Sequence, residues 1–237
     1  MRQPLCFFLG SCLGILLGLV HLKAHDFGSG GATKENLDLP ADAVGGPDDD
    51  DEECCNVVEF YNQTLEAQAF FYVIDRSTTM QNHGELDRAK QEVCRNIDEF
   101  HSRVELGIFF FDKGLAQFPA NGQSAAATPE VKASAKAFVQ STQGGTGTCG
   151  LAALGAALRM AQSSSLKRRL IIYLSDGGGT CPGNEEADYL EKTLSSVAAQ
   201  NYQRVRINTI GVIDVGQLQE SFLKRLAFMN GGTYTRI

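Results

Sequence analysis

The stretch Phe70-Phe71-Tyr72-Val73-Ile74-Asp75-Arg76-Ser77-Thr78-Thr79-Met80 decides how the rest of the chain is read. Five apolar, β-preferring residues in a row suit a strand covered on both faces, as in a parallel sheet. The run stops at Asp75, which sets a carboxylate at the C-terminal edge of that strand, where open α/β sheets bind ligands. Asp75, Ser77 and Thr79 then alternate, so their oxygens converge in a looping segment. A donor set of oxygens alone, without His or Cys, suits a hard cation such as Mg2+ rather than zinc or copper. The same residues also fit an ordinary strand-to-helix turn with a hydroxyl N-cap, and this stretch alone leaves both readings open.

Two further stretches bear on that choice. Gly144-Gly145-Thr146-Gly147-Thr148 precedes a helix-like run, and Leu170-Ile171-Ile172-Tyr173-Leu174-Ser175-Asp176-Gly177 is a second buried strand ending in a carboxylate. The glycine-rich piece could cradle a phosphate at a helix N-terminus, but it lacks the lysine of a P-loop. Together the three stretches resemble the metal-ion-dependent adhesion site of von Willebrand factor type A domains, whose fold integrin I domains share. The pattern there is D-x-S-x-S, then a threonine on a Gly-rich loop, then an aspartate ending a strand with D-G. The resemblance covers the chain from about Phe70 to Ile237.

It implies a role for each matching residue. Ser77 and Thr79 would bind the metal directly, Asp75 and Asp176 mostly through water, and Thr146 directly or through water. The ion would be Mg2+ or Mn2+, with one position open to an aspartate or glutamate of a protein partner. Two departures stand out: Thr79 replaces the usual serine and keeps the hydroxyl, and Thr78 stands where glycine is common.

Along the chain, strand-like and helix-like segments alternate. Leu86, Ala89, Val93, Ile97 and Phe100 recur at helical spacing. Residues 105–112 form a strand, with 115–118 returning antiparallel beside it. Pro129 opens a helix that turns Val131, Ala135, Phe138 and Val139 inward. Later helices carry Leu151, Leu154 and Leu158, then Leu190, Leu194 and Val197, then Leu218, Phe222 and Leu226. Between them lie the strand ending at Leu174, a strand over 206–212 and a closing one in 232–237. Residues 57–61 are a short extra strand, followed by a glycosylation sequon at Asn62-Gln63-Thr64, which matters only in a eukaryotic source.

This alternation predicts an α/β fold with a mainly parallel sheet flanked by helices on both faces, and the doubly wound, von Willebrand factor type A-like arrangement that the resemblance implies has the strand order 3-2-1-4-5-6. In that order the first and fourth strands are neighbours, which brings Asp75 and Asp176 to one crevice with the Thr146 loop closing it. Cys149 follows that loop and Cys181 lies just past Asp176. Loops that share a crevice in an oxidising compartment predict a disulfide between the two, while Cys94 reads as a buried thiol.

The 237 residues carry a formal net charge of −7, but unevenly. Residues 1–53 hold ten acidic and three basic side chains, and 54–237 hold eighteen of each. A balanced domain offers no basic face for nucleic acid as a whole. Residues 1–24, with Arg2, an apolar run and Ala24 before the cut, read as a secretory signal peptide. Leu9-Gly10-Ser11-Cys12 resembles a lipoprotein box, and an uncleaved segment would be a membrane anchor. Either way the protein is expected to be secreted, periplasmic or on the cell surface. Residues 25–53 have too few large apolar groups to fold and read as an acidic linker, leaving 54–237 as one domain. Lys167-Arg168-Arg169 reads as a solvated helix end.

The function expected is a non-enzymatic, Mg2+-dependent protein-binding or adhesion domain. The rival is a metal-assisted hydrolase or a chelatase-type accessory subunit, for which His83, soon after the first loop, is the nearest base. The six consecutive acids at 48–53 read as a solvated spacer. They are tethered at the N-terminal end of the first strand, so they cannot easily reach a metal at its other end, ~20 Å away for six residues.

Overall fold

A computed structural model describes residues 55–237. The export segment 1–24 and the acidic linker 25–53 lie outside the described residues. The central strand β3 (Ala69–Asp75) is buried at every position. It pairs in parallel with β4 (Glu105–Phe111) on one side and β7 (Arg169–Ser175) on the other. β8 (Arg206–Gly211) and β9 (Tyr234–Arg236) continue in parallel beyond β7, and β5 (Leu115–Phe118) lies antiparallel on β4. The sheet order is β5-β4-β3-β7-β8-β9. In sheet-strand count this is 3-2-1-4-5-6, with the first and fourth strands adjacent as the doubly wound order predicts. A two-residue strand, β6 (Ala125–Ala126), adds to β4.

The unbroken apolar run of β3 follows from helices on both faces. Phe70, Tyr72 and Ile74 point into one core with Val93 and Ile97 of α2 (Glu85–Glu99) and Val139 of α3 (Pro129–Ser141). Phe71 and Val73 point into the other, with Leu154 and Leu158 of α4 (Gly150–Ser163), Leu194 of α5 (Glu186–Gln200) and Phe222 of α6 (Gln217–Met229). Each such side chain contributes about 2 kcal/mol on burial, so the sheet's centre is secured from both sides at once. The helix α4 is rich in alanine and glycine and buried along most of its length. Its close approach depends on Gly107 of β4, where a Cβ would stand 2.5 Å from the Met160 sulfur.

Two local expectations are corrected. Residues 57–61 are not a lone strand: β1 (Asn56–Phe60) and β2 (Gln63–Ala67) form an antiparallel hairpin of their own. Its two-residue turn holds Tyr61 and Asn62 at φ 51° and 57°, the left-handed pair that matches the twist of a hairpin. The hairpin is fastened to α2 by Asn96, which donates to the Glu59 carbonyl at 2.7 Å and accepts from the Tyr72 hydroxyl at 2.9 Å. The last helix, α6, contains Leu218, Phe222 and Leu226 as expected; its buried stripe runs through Phe222, Leu223, Leu226 and Ala227, with Leu218 exposed at its start. Lys167-Arg168-Arg169 is not a helix end, since α4 stops at Ser163 and Arg169 already opens β7. Among the described residues, no helix is long and apolar enough to cross a membrane.

Candidate metal centre

Asp75 closes β3 with no solvent exposure. One of its carboxylate oxygens accepts from the Ser77 N–H at 2.7 Å, and the other from the Ser175 hydroxyl at 2.7 Å. Ser175 is the last residue of the neighbouring strand β7, so the pairing of first and fourth strands is what supplies this bond. Burial first, and then the adjacent Asp176 charge, push the Asp75 carboxyl up to about 7, against the relief from those two donors and from the nearby Ser77 hydroxyl, which lies outside hydrogen-bond geometry.

The chain turns directly into a one-turn helix, α1 (Thr78–Asn82), for which Ser77 occupies the N-cap position. An ordinary N-cap serine accepts a hydrogen bond from the first turn. Here that bond is not made, and the Ser77 hydroxyl is buried without any hydrogen-bond partner. A buried polar atom left without a partner costs about 1–3 kcal/mol. The capping account of this stretch therefore leaves the hydroxyl unexplained, whereas a cation beside Asp75 would satisfy it.

Thr79 is exposed on α1 and shares a shallow cleft of about 280 Å3 with Asp176, Gly178, Ile213 and Asp214. Asp176 is half-buried, and its carboxylate accepts from the Gly178 N–H at 2.9 Å. Glu186 orders the following residues by accepting from the Gly179 N–H and the Gln219 side chain, each at 3.0 Å. At the cleft's edge Ile213 sits at φ 67°, a conformation that costs a β-branched residue free energy.

The Thr146 loop is stitched to the first loop through its backbone. The Gly145 N–H donates to the Arg76 carbonyl at 2.7 Å, and the Thr78 hydroxyl donates to the Gly145 carbonyl at 3.0 Å. The Thr146 carbonyl accepts from the Lys113 N–H at 3.0 Å, while its side chain is exposed. The structure thus brings Asp75, Ser77, Thr79 and Asp176 to one edge of the sheet and sets the Thr146 backbone beside them. No hydrogen bond among the described residues draws the Thr146 hydroxyl towards Asp75. Cys149 and Cys181 are bonded, with Cα atoms 4.8 Å apart, which ties the Thr146 loop to the Asp176 loop.

Asp112 escaped the sequence reading. It follows β4, forms an ion pair with Arg76 at 3.1 Å and accepts from the Gly114 N–H at 2.7 Å. A Cβ on Gly145 would collide with its carboxylate, so glycine is what lets the Thr146 loop lie against this pair. Aspartate at the end of a third parallel strand was the available signal. His83 is no part of the centre: its ring nitrogen lies 2.9 Å from the Thr79 carbonyl, on the exposed side of α1. Among the described residues, no group of three or more His, Cys, Asp and Glu side chains gathers to hold a metal. The candidate donors are two carboxylates and hydroxyls, a set suited to Mg2+.

The Asp75 environment has a consequence for the metal-free protein. Its carboxyl titrates near 7 when folded, against 3.8 as the ordinary value. Below pH ~4 both states hold the proton; between the two values only the unfolded chain releases it; above ~7 both are ionised. Stability in EDTA should therefore fall as pH rises from about 4 to about 7, by up to roughly 4 kcal/mol, and then level off. Urea unfolding across that range reads this directly, and Asp75→Asn should flatten the profile. A wild-type profile already flat there would contradict a buried, charge-crowded Asp75.

No protein-family model matches the sequence, and no curated protein matches it. Solved structures do. The chain is similar to a von Willebrand factor type A protein from Catenulispora acidiphila, at 20% identity and a TM-score of 0.59, over 73% of this chain and 39% of that one. It is also similar to the vWF domain of the type V pili tip protein Mfa5 from Porphyromonas gingivalis, at 13% identity and a TM-score of 0.57, over 71% of this chain and 89% of that one. A third likeness is to the pilus adhesin SpaC from Lactobacillus rhamnosus GG, at 13% identity and 0.59, over 76% of this chain and 29% of that one. The chain therefore spans well under half of the first and third proteins. At such identities the likeness establishes the fold, which is that of von Willebrand factor type A domains.

Proposed function

We propose that residues 54–237 form a non-enzymatic, Mg2+- or Mn2+-dependent protein-binding domain that works outside the cytoplasm. Ser77, Thr79, Asp75 and Asp176 would hold the cation, with Thr146 joining from its loop. When bound, the cation supplies an electrophilic position for a carboxylate of a protein partner. Asp75 and Asp176 supply the balancing charge, and the hydroxyls fill positions without adding more, so the site stays attractive to an acidic ligand.

The observation that carries this reading is the Ser77 hydroxyl, buried beside Asp75 with no partner and no capping bond. A pilus adhesin and a pili tip protein with the same fold support a surface or extracellular role, as does the apolar segment at the N-terminus. The rival reading, a hydrolase, needs a base aimed at the site. His83, the nearest candidate, is exposed and turned to the Thr79 carbonyl. A chelatase-type role would place the domain with an ATPase partner, against the export segment.

The test is capture from extracellular extract on the immobilised chain, with Mg2+ against EDTA, beside a peptide bearing one exposed Asp or Glu and its amidated twin. Retention of the acidic peptide only with Mg2+ is the expected outcome. Equal retention of both peptides, or binding that survives EDTA, would remove the carboxylate-through-metal reading.

A further inference from the structure

The loop after β8 carries a strained residue beside the metal centre. Ile213 holds φ 67°, and the Val215 N–H donates back to the Ile213 carbonyl at 2.9 Å. That bond closes a three-residue turn with Asp214 at its tip. Both flanks are anchored inward, on opposite faces of the sheet. Ile213 packs on the core that holds Phe70 and Ile74, and Val215 is buried in the core that holds Phe71 and Val73. The Val212 N–H donates to the Ser175 carbonyl at 3.1 Å, which ties the loop to the residue before Asp176. With its neighbours pinned in this way, Asp214 is turned out and its side chain is fully exposed. The left-handed Ile213 costs free energy, and what it provides is one outward carboxylate.

That carboxylate shares the cleft of about 280 Å3 with Thr79 and Asp176, and among the residues lining it the two aspartates alone are charged. Arg236 stands 3.9 Å from Asp214, but it is shared with Glu220 at 3.7 Å and does not line the cleft. Ion pairs so long and exposed are weak, so Asp214 keeps its field over the cleft. Glu186, which holds the Gly179 N–H, has the same sign. Arg76 and Asp112 offset each other, and Lys113 belongs to the other side, where its N–H holds the Thr146 carbonyl. A divalent cation at the centre is already balanced by Asp75 and Asp176. Asp214 therefore leaves a surplus of negative charge on the side of Thr79 and Asp176. A partner carboxylate delivered alone meets that surplus as repulsion, whereas one delivered beside a cation gains an ion pair. Resting on the metal-binding function proposed above, we propose that Asp214 selects the partner. The segment that gives its carboxylate to the metal also carries a Lys or Arg close by, which Asp214 receives. A purely acidic segment is disfavoured by the same residue.

The experiment uses labelled peptides with a single Glu in a Gly-Ser background and a Lys placed at successive positions on either side. Each has a twin with Gln in place of the Lys. Binding to the full chain and to its Asp214→Asn and Asp214→Lys variants is read by anisotropy. Mg2+ is held at saturation, so a change in metal affinity cannot mimic a change of preference, and the melting temperature checks the fold. At ~0.01 M salt the wild type should bind at least one Lys peptide about twofold to fivefold tighter than its twin, the range for an exposed ion pair. That margin should close near 1 M, where the screening length falls from ~30 to ~3 Å. Asp214→Asn should bind the twins equally, and Asp214→Lys should prefer the Gln peptide. Twins bound equally by the wild type, or a preference that survives Asp214→Asn, would overturn the proposal and leave carboxylate binding through the metal standing. If no peptide binds in Mg2+, both fall together.

Discussion

Replacing Asp75 or Asp176 with alanine should lower Mg2+ affinity on the order of a hundredfold or more. Each removes a full charge from a site otherwise made of neutral hydroxyls, and a unit charge about 4 Å from another is worth ~4 kcal/mol at an effective dielectric near 20. The divalent ion doubles the attraction, while charge screened through water reduces it, so a hundredfold is the conservative end. Asp75→Asn gives a sharper signature because two properties should move in opposite directions. Affinity falls, yet the metal-free protein at pH 7 becomes more stable, since a buried charge crowded by Asp176 has gone. Calorimetric titration and thermal unfolding in EDTA read the pair together. Unchanged affinity in either aspartate variant would take that residue out of the centre. Ser77→Ala should also weaken binding but leave metal-free stability unharmed or improved, because the hydroxyl it removes has no partner.

Loss of the Cys149–Cys181 bond should destabilise the fold strongly. The two residues are 32 positions apart, and closing a loop of that size stabilises the fold by about 3–4 kcal/mol in the chain-entropy model. The bond also joins the Thr146 loop to the loop after Asp176. Reductant should therefore lower both the urea midpoint and Mg2+ affinity, whereas the double variant Cys149→Ser, Cys181→Ser should be insensitive to reductant. A wild-type midpoint unmoved by reductant would mean that the thiols are unpaired in the isolated protein.

Much of the fold was legible in the sequence because its central strands are buried on both faces. Phe70–Asp75 and Leu170–Ser175 carry no alternation, which is what a parallel sheet between two helical layers demands, and the abrupt carboxylates mark their ends. Alternation with helices indicated a parallel sheet but not its order; the order came with the doubly wound fold that the resemblance implied, and it brought Asp75 and Asp176 together. The β1–β2 hairpin was not legible as such. Its turn uses Tyr61 and Asn62 at positive φ without a glycine, so the usual turn signal is missing, and Gln63–Ala67 is short and mixed. Long-range charge pairing was equally hidden. Arg76 and Asp112 meet only across β3 and β4. The spare Ser77 hydroxyl lay beyond sequence too, because a serine at that position reads equally well as a cap.

The function proposed depends on a divalent cation at the edge formed by Asp75, Ser77, Thr79 and Asp176. The most direct measurement is anomalous diffraction from crystals of the chain soaked in Mn2+, with crystals of Asp176→Ala treated alike. One strong anomalous peak is expected in the wild type, bound by the Ser77 and Thr79 hydroxyls and lost in the variant. A wild-type crystal with no peak at that edge, or a peak that persists unchanged in the variant, would contradict it.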